Sequence, residues 1–149
     1  MRKFLLMSVL CGGVLGSFTP ATAVWGQTET PSTVALPPIV LNGLNDYKTS
    51  GPEEAVKTWF KGSSMDLENT GASAVTELKR TQEQLGAYLS YDVVTIRTIS
   101  ARTLVVYIAL NYEKEPRFAK FVAYRGGHGW ILIDYHLGGD LNWLGAELK

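Results

Sequence analysis

Two residues near the end of the chain have the types and the spacing of an acid–base pair. Asp134 and His136 stand two apart in a run of β-branched and aromatic residues, so in a strand they lie on one face with Cα atoms about 6.5 Å apart. A carboxylate at that distance orients an imidazole and raises its pKa toward neutrality. The spacing predicts a proton-transfer pair, with Asp134 as base or orienting group. The alternative is a strand end at which both groups are solvated and idle.

The neighbouring strands define the walls of a candidate ligand site. If two connecting turns each contain four residues, Tyr112 opposes Arg117 and Arg125 opposes Trp130. The same register places the small side chain of Ala119 opposite His136, which leaves room for a ligand. The candidate ligand-binding residues are therefore Trp130, Phe121, Tyr112 and Ala119. Tyrosine hydroxyls could donate to a ligand oxygen, although tyrosines on a sheet more often form walls and interfaces.

Other kinds of chemistry find no support in the sequence. His128 and His136 are the only histidines, and two histidines fall short of a metal site, so no metal and no cofactor are expected. The Gly-Gly-His-Gly segment ending at Gly129 has no following helix and no Lys-Ser or Lys-Thr pair, which makes it a turn and not a phosphate loop. The sequence does not indicate an assembled catalytic set.

The sheet that carries these residues is the clearest structural feature of the sequence. Four runs of β-branched and aromatic residues lie between Tyr91 and Leu137, interrupted by Ser-Ala-Arg, Glu-Lys-Glu-Pro and Gly-Gly-His-Gly. This pattern is typical of an antiparallel meander. With helices before it, the fold class is α+β: N-terminal helices packed on a curved, mainly antiparallel four-stranded sheet.

Two helices are predicted before the sheet. Ser50 and Glu53 have the spacing of a capping box, with Pro52 in the first turn, and the helix that follows carries an apolar stripe ending in Trp59 and Phe60. A second helix is predicted over 73–85, and the glycine after it permits the turn into the sheet. Together with the sheet they form one domain over 49–149.

The N-terminal residues predict export. Met1-Arg2-Lys3, an apolar run of about 15 residues and Ala21-Thr22-Ala23 have the order of a signal peptide over 1–23. The run is shorter than the roughly 20 residues of a membrane-spanning helix, so no membrane association is expected after cleavage. The expected location is the periplasm or the exterior of a bacterium. An uncleaved N-terminal anchor is the alternative.

The composition of the chain after signal-peptide cleavage further limits its possible functions. The only cysteine, Cys11, leaves with the signal peptide, which excludes disulfides and thiol catalysis. Of the 14 basic and 14 acidic residues, two basic ones leave as well, so the net charge is near −2 and a nucleic-acid partner is not indicated. Residues 24–48 contain three prolines and are predicted to form an extended tether, whose less polar second half docks on the domain or on a partner.

Both faces of the predicted sheet are apolar, and two helices cover only one of them. The uncovered face is rich in tyrosine, which predicts a homodimer through the sheet. The alternative is a strongly curved sheet whose second face is partly covered by the tether and by the tail from Asp140 to Lys149.

The order of a capped helix ending in Trp-Phe-Lys, a second helix and a long meander resembles the nuclear transport factor 2-like superfamily. The resemblance covers roughly 51–144 and is carried by three stretches: Leu85-Gly86-Ala87-Tyr88-Leu89-Ser90-Tyr91-Asp92-Val93-Val94, Tyr107-Ile108-Ala109-Leu110-Asn111-Tyr112-Glu113, and Gly129-Trp130-Ile131-Leu132-Ile133-Asp134-Tyr135-His136. They look like an exported bacterial branch of unknown function. The resemblance implies a cone-shaped α+β fold, and in relatives that are enzymes the cone between helices and sheet is the ligand site.

Three functional hypotheses follow from these observations. The first is a non-enzymatic exported module that binds a small apolar or amphipathic molecule or interacts with a protein. The second is a small cofactor-free isomerase or dehydratase that uses Asp134 and His136 in the cone. The third is an envelope scaffold protein that docks a larger partner through its tether or its tyrosine-rich face.

Overall fold

The computed structural model describes residues 35–65 and 67–149, so the predicted signal peptide and the first part of the predicted tether lie outside the described residues. Helices come first and strands follow, in the order α1 (Pro38–Ser50), α2 (Pro52–Trp59), a π-helical turn (Leu67–Gly71), α3 (Ala72–Leu85), β1 (Tyr88–Ser100), β2 (Thr103–Tyr112), β3 (Pro116–Gly126), β4 (Gly129–Leu137) and α4 (Leu141–Glu147). The four strands form one curved antiparallel sheet in the order β1-β2-β3-β4. The predicted α+β class and the four-stranded meander are confirmed.

The extended tether predicted over 24–48 is wrong from Pro38 onward, where α1 begins. Pro38 occupies the first helical position, where its missing N–H costs no hydrogen bond. Val40, Leu44 and Tyr47 recur three and four residues apart and are buried in the core. The two adjacent prolines thus start a helix, and the apolar residues after them dock on the domain itself.

α1 and α2 are held together at one close approach. Gly43 lies against the indole of Trp59, and a Cβ at this glycine would overlap the ring. The Trp59 Nε1 donates a hydrogen bond of 3.2 Å to the carbonyl of Val40. Only a residue without a side chain allows this contact.

The second helix begins differently from the prediction. Ser50 ends α1, and the residue before α2 is Gly51, whose φ of +92° favours glycine and which makes no side-chain cap. The capping box of Ser50 and Glu53 is therefore wrong. The carboxylate of Glu53 instead forms an ion pair with Lys79 of α3. α3 matches the predicted helix to within one residue, and Gly86 with φ of +88° turns the chain into β1.

The register between β2 and β3 is shifted by two residues from the prediction. Leu110, and not Tyr112, opposes Arg117, because the two strands close with Asn111 opposite Pro116. An even shift keeps every side chain on its predicted face. The faces assigned to β2 and β3 are consequently those that the alternation predicted.

The register between β3 and β4 contains a bulge that the prediction lacked. Arg125 opposes Trp130 as predicted, but beyond Leu132 the pairing skips Ile133, so that Asp134 opposes Val122. One extra residue reverses the alternation of all residues that follow it. The predicted faces of β4 are therefore wrong after Leu132.

One face of the sheet, here called the inner face, packs against α1 and α2 in a continuous core. The side chains of this core, from the helices and the sheet together, are fully or almost fully buried. The largest are Trp59, Tyr47, Phe121, Leu44, Leu78, Ile108, Leu110 and Leu132. Because of the bulge, Tyr135 lies on the inner face and packs in this core. The centre of its ring lies 5.6 Å from that of Trp59 and 5.3 Å from that of Phe121. Aromatic side chains thus fill the hollow between helices and sheet.

The opposite face, here called the outer face, is partly covered by α4. Asp140 begins this helix by accepting hydrogen bonds from two backbone N–H groups of its first turn. Leu144 is buried against the side chains of Tyr107, Ala109 and Phe118. Part of the tail named in the alternative therefore covers part of the second apolar face.

Candidate functional site

Asp134 and His136 lie together on the outer face and not in the hollow. His136 opposes Lys120, whereas Ala119 opposes Leu137 on the inner face. The predicted opposition of Ala119 and His136 is wrong, because the bulge at Ile133 moves each later residue of β4 to the opposite face from the predicted one. Sequence alternation alone carries no signal for that extra residue.

The surroundings of the two residues are those of a helix-docking surface. The Asp134 carboxylate lies 3.9 Å from the Lys120 ammonium, and both predicted catalytic side chains are exposed. The His136 ring lies 5.2 Å from the ring of Trp143 in α4. Of the cavities formed by described residues that we identify, none has Asp134 or His136 in its wall.

Three of the four predicted ligand-binding residues are core residues. Phe121 and Ala119 are completely buried, and Tyr112 is 4% exposed. Each is in contact with other side chains of the inner face and α1–α3. Trp130 differs from them, because it is only partly buried and lines a surface cavity.

The core contains a group of tyrosine hydroxyls. Those of Tyr47 and Tyr112 lie 3.0 Å apart and share a hydrogen bond. The hydroxyls of Tyr88 and Tyr135 are buried and have no partner among the residues that the structure describes, although Tyr135 as a residue keeps some exposure. Burial, which penalises the phenolate, raises the pKa of all four, and that of Tyr112 to about 12.

These hydroxyls do not form a donor set at a cavity. Tyr47 stacks on Tyr88 with 4.3 Å between ring centroids, and Tyr88 contacts Tyr112 edge to face at 5.8 Å. Neutral, closely packed phenols of this kind stabilise a core through their rings. These four tyrosines therefore fill the core between the helices and the inner face.

The site with the form of a small-molecule pocket lies where the β3–β4 turn meets the helices. A cavity of about 410 Å³, here called the hairpin groove, is lined by Ile39, Lys61, Gly62, Gly126, Gly127, His128, Gly129, Trp130 and Ile131. Its apolar side chains come from α1 and from the start of β4. Its volume is in the usual range of ligand sites, roughly 300–1,000 Å³.

Glycines and loops of the chain create the groove. Gly62, with φ of +73°, turns the chain after α2, and the position of its missing Cβ is 3.5 Å from the Ile131 side chain. The chain is fixed there by Ser63, whose hydroxyl donates a hydrogen bond of 2.6 Å to the carbonyl of Leu132. The two-residue turn of Gly127 and His128 forms the opposite rim.

Two side chains capable of positive charge, Lys61 and His128, stand at the groove. Both are exposed, and neither forms an ion pair with an acidic group in the described part of the chain. An adjoining depression of about 530 Å³ shares Lys61 and Gly62 with the groove. Sequence reasoning missed the contribution of Ile39, Lys61 and Gly62, because they are distant from Trp130 in sequence.

Two further features are absent from the described residues, 35–65 and 67–149. No group of three or more His, Cys, Asp or Glu side chains there has a geometry that could hold a metal ion. None of the helices in these ranges combines the length and the apolar character needed to cross a bilayer.

Comparison with known proteins gives no relative: no protein-family model matches the chain, and neither a curated protein nor a solved structure matches it.

Proposed function

We propose that the protein is a non-enzymatic binding module that holds a small amphipathic anion in the hairpin groove. The observation that carries the proposal is the composition of this groove. An indole and two isoleucine side chains stand beside two groups that can carry positive charge and have no ion-pair partner among the described residues. The nuclear transport factor 2-like cone suggested by the sequence remains part of the proposal, supported by the order of helices and meander.

The apolar part of the ligand is indicated by the groove wall. Trp130 and Ile131 are each only partly buried, and Ile39 adds a third apolar side chain. Apolar surface in a concave site is stabilised when a ligand removes it from water, by about 25 cal/mol per Å². An aliphatic or aromatic group of moderate size fits this surface.

The anionic part of the ligand is indicated by the charges at the rim. Lys61 has no acidic partner among the described residues, and the nearby imidazole of His128 becomes a second cation when protonated. A carboxylate bound beside Lys61 would form a charge-assisted hydrogen bond, which is stronger than a neutral one.

The absence of an acid–base pair in the groove favours binding over catalysis. The predicted pair of Asp134 and His136 lies on the outer face, and no acidic side chain is among the residues lining the groove. An exported location, which the pattern of residues 1–23 predicts, and a role in the envelope also stay part of this proposal.

Calorimetric titration of the protein with decanoate and with decanol tests the proposal. We expect decanoate to bind in the micromolar to millimolar range and decanol to bind more weakly. Trp130→Ala should remove the binding of both, and Lys61→Gln should reduce only the preference for decanoate. Lys48→Gln, at an exposed lysine of α1, is the matched control and should bind like the parent protein.

Two results would overturn the proposal. Failure of the parent protein to bind either compound at millimolar concentration would remove the groove as a ligand site. Equal binding of decanoate to the parent and to Lys61→Gln would remove the anion. Because Lys61 is exposed, this second variant is expected to fold even if Trp130→Ala does not.

A further inference from the structure

The two edges of the sheet differ in how they are protected. The β4 edge is approached by the loop after α2, where Ser63 bonds to the carbonyl of Leu132. β1 is a 13-residue strand at the other edge. Apart from its pairing with β2, no backbone hydrogen bond from 35–65 or 67–149 reaches β1. The strand has register irregularities between Tyr88 and Ser90, between Val93 and Thr95, and between Thr98 and Ser100. Between these points its outward N–H and C=O groups are a template for pairing with another strand.

The same strand carries most of the exposed apolar side chains. Six large hydrophobic residues are exposed in the part of the chain that the structure describes, and four of them are on β1: Leu89, Val93, Val94 and Ile99. Their exposed fractions run from 38% to 63%. Exposed apolar side chains beside an open backbone edge indicate an interaction surface and not a solvated strand.

The sequence of β1 is complementary to itself in one antiparallel register. A two-fold axis between Val94 and Thr95 would place Asp92 opposite Arg97 of a second copy, and Arg97 opposite the second Asp92. It would also place Val93 opposite Ile96. These pairs combine side chains of opposite charge or of apolar character, as stable cross-strand pairs do. The pair next to the axis is Val94 with Thr95.

The observed faces of β1 agree with this register because of a bulge at Val94, which the pairing with β2 skips between Val93 and Thr95. Without that extra residue, positions five apart such as Asp92 and Arg97 would lie on opposite faces. Asp92 and Arg97 oppose Ala109 and Val105 of β2, which both belong to the outer face. By the same criterion, Val93 and Ile96 oppose inner-face residues. A continuous sheet requires that facing residues share a side, and a register shifted by one residue would set Asp92 against the inner-face Ile96.

Arg97 is held on the outer face by α4. Its guanidinium donates to the backbone carbonyls of Glu147 and Leu148 at the end of α4 and lies over the ring of Tyr107, 5.8 Å from its centroid. A guanidinium has five N–H donors, so donors remain for a carboxylate. The Asp92 carboxylate is exposed and accepts one hydrogen bond, from Asn111 at 2.7 Å.

We infer that the partner of the β1 edge is a second copy of this chain. The two β1 strands pair antiparallel about an axis between Val94 and Thr95, and the two sheets join into one of eight strands. Asp92 and Arg97 form an ion pair on each side of the axis. The inference is independent of the proposed function, because the hairpin groove lies at the β3–β4 turn and shares no residue with β1.

A cross-linking experiment tests the register. In protein with Cys11→Ser, the double substitution Asp92→Cys and Arg97→Cys should give a covalent dimer on oxidation, because directly opposed residues have Cα atoms about 4.5–5.5 Å apart, within disulfide range. Each single substitution is the matched control and should remain uncross-linked, since position 92 faces 97 and not itself. Absence of the covalent dimer in the double variant, or equal cross-linking of a single variant, would overturn the inference.

A charge-swap series tests the ion pair in solution. Light scattering of the parent protein should give twice the mass of the 16.4 kDa chain, less any leader removed. Asp92→Arg should weaken the dimer at least tenfold, and Asp92→Arg with Arg97→Asp should restore it. A parent protein that is monomeric at several hundred micromolar would overturn the inference. A dimer insensitive to Asp92→Arg would also do so, because it would place the interface on the sheet face.

Discussion

The hydroxyl oxygens of Tyr47 and Tyr112 lie 3.0 Å apart inside the core and join α1 to β2. Beside them, the hydroxyl of Tyr88 is buried and has no hydrogen-bond partner within 35–65 and 67–149. In one layer of the core, the hydroxyls of Tyr47 and Tyr112 thus share a hydrogen bond, whereas that of Tyr88 makes none with a described residue.

This contrast predicts opposite effects of removing the two hydroxyls. Tyr112→Phe leaves the Tyr47 hydroxyl buried and unpaired, so we expect a loss of about 1–2 kcal/mol in the free energy of unfolding. Tyr88→Phe removes an unpaired polar group and should be neutral or stabilising. Urea unfolding measures both, and equal destabilisation by the two variants would show that the shared hydrogen bond does not decide the effect.

The buried tyrosines also predict an alkaline limit of stability. Their pKa values are raised in the fold by burial, whereas in the unfolded chain a tyrosine ionises near 10. A raised folded pKa gives stability that is complete below about pH 10 and is lost as the pH rises toward the folded values.

Phenolate absorbance and far-ultraviolet circular dichroism, recorded together from pH 8 to 13, check this expectation. The absorbance of the buried tyrosines should rise in one step together with the loss of secondary structure. Tyr88→Phe, which removes one buried phenol, should move that step to higher pH. Complete ionisation of all tyrosines with intact secondary structure would contradict the burial argument.

Two helical glycines predict opposite effects of the same substitution. Gly43→Ala would drive a methyl group into the Trp59 indole, and the expected loss is about 3 kcal/mol despite the better helix propensity of alanine. Gly145→Ala in α4 meets no atom within 4 Å and should stabilise by roughly 0.5–1 kcal/mol. Thermal unfolding of the two variants is a matched comparison, and a stable Gly43→Ala would show that α1 and α2 can separate.

The docking of α4 predicts an acid-sensitive contact. The hydrogen bond and charge of Lys120, whose Nζ is 3.2 Å away, lower the pKa of Glu147 below its ordinary 4.5. A lowered folded pKa gives a contribution that is present above the unfolded value and is lost as the pH falls through the folded one.

Glu147→Gln should therefore lower the Tm at pH 7 and reduce the further fall of the Tm below pH 4.5. Glu54→Gln, at an exposed glutamate of α2, is the control and should leave the pH profile of the parent nearly unchanged. If the profile of Glu147→Gln matched that of the parent at low pH, the carboxylate of Glu147 would have no part in it.

The four strands and α3 could be predicted from the sequence because their signals are local. β-branched and aromatic runs separated by turn residues specify strands, and apolar residues at helical spacing before Gly86 specify α3 and its end. α1 was not predictable in the same way. Its prolines are typical of a tether, although Val40, Leu44 and Tyr47 after Pro38 recur at helical spacing. The helix is stabilised by the contact of Gly43 with Trp59 and by the burial of Val40 and Leu44.

The candidate site shows the same division. The local pattern is enough to predict that Asp134 and His136 are two apart in a strand and that Trp130 lies near its start. The face that they occupy depends on tertiary packing, because the bulge at Ile133 lets Tyr135 pack against Trp59 and Phe121. A strand's alternation is a local property, whereas the position of a bulge depends on which side chain best fills a core built from distant parts of the chain.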